Sequence, residues 1–144
     1  MATHYNLDRF INAQDDSYDR ALQEIKNGKK SSHWMWYIFP QLAGLGNSEF
    51  SKTYAIKNLD EARAYLKHPV LGSRLLEITT AILNLDNLSA HVVLGSPDDL
   101  KLRSCMTLFR LVSNQNAPFS AVLEKYFMGV PCARTLDLLK GVAP

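Results

Sequence analysis

Cysteine is scarce in this chain: two residues among 144, Cys105 and Cys132. That excludes a disulfide framework, and both are expected as reduced thiols. Cys105 falls on the apolar side of an expected helix, where a thiolate is disfavoured. Metal-ligand spacing is missing too. The four histidines, His4, His33, His68 and His91, never pair at i, i+4, so no metal site is expected. Long hydrophobic runs are absent: the longest, Trp34 to Pro40, falls far short of the ~20 residues of a membrane span. Charge of one sign is also lacking. Sixteen basic and 14 acidic residues leave +2, too little to argue for nucleic acid as a partner. Met1 to Leu7 holds no basic stretch followed by an apolar one, so no signal peptide and a cytoplasmic location are expected. Strand signals are few. Val92, Val93 and Leu94 form the only β-branched cluster, and it reads better as a turn of helix stopped by Gly95.

What is present is helical periodicity in a chain of ordinary globular composition, 47% hydrophobic and 21% charged. Its length suits one domain, residues 1–144 with a core over about 7–140. Leu7 to Ala13 reads as a short helix with Phe10 and Ile11 inward. Tyr18, Ala21, Leu22 and Ile25 make one stripe of a helix that Gly28 stops. Asn58 and Glu61 resemble a capping box for a helix running to about His68. From Pro69 to Leu85 the main stripe is Leu71, Leu75, Ile78, Ile82 and Leu85, with a second at Leu76 and Leu83. Ser96, Pro97, Asp98 and Asp99 read as cap, first helical residue and two carboxylates at the positive end of a helix reaching about Ser113. Residues 118–127 and 133–140 give two short terminal helices. The expectation is an all-α, compact single-domain bundle of about seven or eight helices, several of them short.

Two segments carry the functional argument. Residues 29–41, KKSSHWMWYIFPQ, place four of the 14 aromatics within six positions and include both tryptophans. No period of 2 or 3.6 separates polar from apolar here, which suits a core segment wrapped on all sides. Lys29, Lys30 and His33 precede the aromatics and Gln41 closes the segment. Aromatic planes beside basic and amide groups also suit a pocket that stacks a planar ring and holds a phosphate. A single-stranded nucleic-acid platform would call for more basic charge. In the helix from Asp98, Lys101 lies on the arc of Leu102, Cys105, Met106 and Phe109, with Ser104 at its edge and Arg103 on the polar side. Such a lysine either snorkels to solvent or points into a cleft beside an anion. Ser104 reads as a small packing residue or as a group at the cleft. His68 and His91 read as surface or capping groups, and Asp8, Arg9 and Tyr54 as supporting positions.

Longer motifs are specific enough to resemble a family. FINAQ (10–14), SHWMW (32–36), FPQL (39–42), GLG (44–46), LDEARAYL (59–66), HPVLG (68–72), GSPDDLKLRS (95–104) and MTLF (106–109) are similar to the bacterial family of unknown function numbered 1810. The likeness spans roughly residues 7–139 and implies a mostly helical fold with no established activity. Members are often labelled calpastatin, a disordered inhibitor type that this globular composition does not match. Met106, Phe109 and residues 118–123 also resemble the end of the NADAR family, helical proteins acting on ADP-ribose derivatives.

The function these readings favour is binding or processing of a small nucleotide or ADP-ribose-like anion in an aromatic and basic cleft. Lys30, His33, Trp34, Trp36, Gln41, Lys101, Arg103 and Ser104 are the ligand-binding candidates. His33, Asp98 and Asp99 are the catalytic candidates, with no cofactor expected and the question of an enzyme left open. The alternative is a non-enzymatic interaction module or homo-oligomer, using Leu76, Leu83 and residues 92–94 as its patch.

Overall fold

Apolar residues recurring at three and four positions produce ten helices among the described residues. They are α1 (Asp8–Asp15), α2 (Tyr18–Lys26), α3 (Met35–Ile38), α4 (Glu49–Thr53) and α5 (Leu59–Lys67), then α6 (Leu71–Leu83), α7 (Ala90–Leu94), α8 (Asp98–Arg110), α9 (Phe119–Phe127) and α10 (Ala133–Val142). This is a computed structural model, and it describes residues 5–114 and 116–142. His4 therefore lies outside the described residues. No strand forms among them; Leu42 and Ile56 make an isolated parallel bridge. The all-α expectation holds, and the helix count exceeds it. The additions are α3, four residues inside the aromatic segment, and α4, five residues capped by Ser48. Neither is long enough to show a period.

The two 13-residue helices form the centre. Helix α6 packs on α2, α5 and α9, while α8 packs on α5, α7, α9 and α10. Leu71, Leu75, Ile78 and Ile82 of α6 are buried, as are Leu102, Cys105, Met106, Leu108 and Phe109 of α8. Each such aliphatic side chain is worth about 1.5–3 kcal/mol relative to exposure. Helix α5 meets α6 at Gly72, where a Cβ would stand 2.0 Å from the Leu66 carbonyl oxygen. Of the second stripe, Leu83 packs against the core and Leu76 is exposed. Val93 and Leu94 are buried and Val92 is exposed.

Side-chain caps fall where the sequence supplies Ser or Asn in extended backbone. Asn58 Oδ1 accepts from the Glu61 amide at 2.9 Å, and Ser89 Oγ from the Val92 amide at 3.1 Å. Glu61 in turn accepts from the Lys57 amide. Ser96 makes no such cap, contrary to expectation. Helix α8 begins one residue later, so Pro97 occupies the cap position, and Asp99 Oδ1 takes the Leu100 amide instead. No helix among the described residues is long and apolar enough to cross a membrane.

Candidate functional site

The site begins with how α2 ends. Gly28 takes φ +78, which turns the chain back beside the helix it has just left. The returning loop delivers its donors to one carboxylate on α2. Glu24 Oε1 accepts the Ser31 and Ser32 amides and the Trp34 indole N–H at 2.8–3.0 Å, while Oε2 accepts the Ser32 hydroxyl at 2.6 Å. Burial by itself would raise this carboxyl, but the Ser32 hydroxyl and the other donors outweigh it and hold Glu24 at about 2. The Lys30 amide bonds the Val93 carbonyl at 2.7 Å, which clips the same loop to α7 and so to the start of α8.

That clip brings two lysines from distant sequence to one acid. Lys30 Nζ lies 2.9 Å from Asp98 Oδ2, and Lys101 Nζ lies 2.9 Å from Asp98 Oδ1. Each ammonium also faces an indole: Lys30 is 5.2 Å from the Trp34 ring centroid and Lys101 is 4.2 Å from that of Trp36. Partial burial of Asp98 disfavours its charge, but the two lysines prevail and hold its carboxyl below the usual range.

This cluster forms one wall of a cavity of about 360 Å³. Trp34, Trp36 and His33 line it from the loop and α3. Met35, Tyr37 and Phe50 complete it. Trp34 is buried, Trp36 half-buried, and Phe50 stands 61% exposed at the edge. The Phe50 ring stacks on Tyr54 at 6.1 Å, and Tyr54 meets Tyr37 at 5.3 Å. Gly46 lets Trp36 come close, since a Cβ there would stand 2.9 Å from the indole Cη2. An acid that two ammonium groups keep ionised is a weak proton acceptor. The wall is therefore suited to holding negative charge beside flat apolar surfaces.

The structure thus gathers Lys30, His33, Trp34, Trp36, Asp98 and Lys101 around one cavity. It places the other candidates elsewhere. Arg103 points to the far side of α8, donating to the Val130 and Pro131 carbonyls. The single Ser104 O–H has two acceptors in reach, the Leu100 carbonyl at 3.1 Å and Cys132 Sγ at 3.3 Å. Gln41 is buried, and its backbone carbonyl joins the bridge to Ile56. Asp99 lies 3.7 Å from exposed His91 and outside the cavity wall. Arg103 is two residues beyond Lys101 and so nearly opposite it on the helix, whereas Ser104, three residues on, shares its side but lies one turn further along, beside Cys132. His68 caps the start of α6 through Nδ1, which accepts from the Val70 and Leu71 amides.

Phe50 is the wall residue that periodicity could not single out. Its one signal is a lone aromatic in the polar stretch Ser48 to Lys52. Cys105 is buried, which pushes its thiol up. Cys132 precedes α10; partial burial raises its thiol, but bonds from Ser104 and Thr135 outweigh this and lower it. Among the described residues no three His, Cys, Asp or Glu side chains cluster as metal ligands.

Comparison with known proteins places this geometry in a family. No curated protein matches the chain. The crystal structure of the conserved hypothetical protein Rv1873 from Mycobacterium tuberculosis is similar, with a TM-score of 0.92 and 44% identity over 94% of this chain and 97% of that one. These matches do not extend the shorter likeness to the NADAR family. The model of the family "Protein of unknown function (DUF1810)" matches residues 4–139, nearly the whole length, and the chain belongs to that family.

Proposed function

We propose that the cavity binds a small anionic compound carrying a planar ring, of the nucleotide or ADP-ribose kind. The observation that carries this reading is the Lys30–Asp98–Lys101 cluster: two ammonium groups, each on an indole face, share one carboxylate at the cavity wall. An ammonium head has three donors, so each lysine can bond Asp98 and still meet a ligand oxygen. Trp36 and Phe50 offer apolar surface for the ring. If the compound carries an N-glycosidic bond, proton transfer falls to His33, since both carboxylate oxygens of Asp98 are taken by Lys30 and Lys101.

The interaction-module reading has less support. Leu83, Val93 and Leu94 turn inward, which leaves its patch only Leu76 and Val92.

Thermal unfolding with AMP, ADP-ribose and adenosine tests the proposal. A specific ligand at 100-fold its Kd adds about 2.7 kcal/mol. The expected result is stabilisation by AMP or ADP-ribose that is lost in Lys30→Met/Lys101→Met. No stabilisation by either phosphate compound, or equal stabilisation of the double variant, would contradict it.

A further inference from the structure

We propose that Asp98 acts as the cavity's resident counter-ion and thereby selects a singly phosphorylated ring compound over di- and triphosphates. This rests on the reading of the cavity as a nucleotide-type site and narrows the ligand class within it. The charged residues of the wall are Lys30, Lys101 and Asp98, with His33 beside them. Lys30, Lys101 and Asp98 together carry one net positive charge. The three charged side chains are only 9%, 20% and 17% exposed for Lys30, Lys101 and Asp98, so solvent ions screen them weakly.

A phosphomonoester brings about −1.5 to −2 at neutral pH. Two ammonium heads with donors to spare can meet that charge. A second or third phosphoryl adds negative charge for which the wall holds no further lysine or arginine, and it stands against the Asp98 carboxylate. Like charges brought together without a partner oppose binding and supply specificity. Size points the same way. About 360 Å³ is at the low end of the ~300–1,000 Å³ typical of ligand cavities. That suits a ring and one phosphoryl group better than a phosphate chain. Asp98 has a second effect: it keeps both ammonium groups aimed at one place before the ligand arrives.

The test is calorimetric titration of AMP, ADP and ATP, with UMP, UDP and UTP in parallel, in magnesium-free buffer. Wild-type protein should bind the monophosphate tightest, with the triphosphate at least about tenfold weaker, or 1.4 kcal/mol. In Asp98→Asn, whose wall keeps both cations without the anion, the triphosphate should gain at least about tenfold relative to the monophosphate. Binding of all three that tightens with phosphate number in the wild type would overturn the proposal, whether or not the variant folds. So would an unchanged ratio in a folded Asp98→Asn. If none of the six nucleotides binds, the nucleotide reading itself fails, and this selectivity with it.

Discussion

The Lys101 ammonium sits 4.2 Å from the centroid of the Trp36 ring while bonding Asp98 at 2.9 Å. Lys101 is in the first turn of α8 and Trp36 in α3, 65 positions earlier. A lysine on the apolar arc of a helix has two outlets, solvent or an anion beside a cleft, and here it takes the second. The aromatic face keeps the stem in apolar surroundings and the head over π-electron density. The same logic applies to Lys30 and Trp34, so one acid is met by two equivalent arms.

The two tryptophans should respond differently to truncation. Trp34 is 1% exposed and its indole N–H bonds Glu24, so Trp34→Ala should cost ~3–5 kcal/mol in urea unfolding. Trp36 is half-buried at the cavity wall, and Trp36→Ala should cost distinctly less. Equal losses would mean that Trp36 is core.

Glu24 links the cavity's loop to acid stability. Its carboxyl is depressed from 4.5 to about 2 in the folded protein. A depressed carboxyl stabilises fully above its unfolded value and loses that contribution as pH falls through the folded one. Glu24→Gln should therefore lose about 1–3 kcal/mol relative to wild type at pH 7. The difference should shrink below pH 4.5 and vanish near pH 2. A gap independent of pH over that range would remove the ionised carboxylate from the account. Guanidinium denaturation at several pH values supplies the measurement.

Caps offer a paired comparison. Asn58→Ala should cost ~1 kcal/mol, because Asn58 satisfies the Glu61 amide. Ser96→Ala should stay within about ±0.5 kcal/mol, since its hydroxyl caps nothing in α8. Denaturation midpoints of the two variants decide it; a larger loss at Ser96 would place the helix start one residue earlier.

Much of this was legible in the residues, for physical reasons. Stripes such as Leu71, Leu75, Ile78 and Ile82 identify a helix and its buried face because burial follows the 3.6 period. Lys101 stands out because a charge on such a stripe needs solvent or an anion. Other features lie in relations between distant segments. The expected cap at Ser96 depended on where α8 starts, and a one-residue shift removed it. Nothing near Lys30 indicated that it would share a carboxylate with Lys101, because that meeting is set by the Lys30–Val93 backbone bond. Nothing around Glu24 in the sequence sets it apart from other polar residues of α2. Only the turn at Gly28 brings four donors back to it. Arg103 points away from Lys101 because two residues on a helix diverge by about 200°, and Ser104, one turn further along the same side, meets Leu100 and Cys132 rather than the cavity.

A small anion with a planar ring is proposed to enter between Lys30, Lys101 and Trp36. Amide chemical-shift mapping during titration with AMP tests it most directly. Saturable shifts should concentrate in residues 30–37, at Phe50 and over residues 98–101, and be lost in Lys101→Met. Shifts centred on α9 and α10, or none at millimolar AMP, would contradict it.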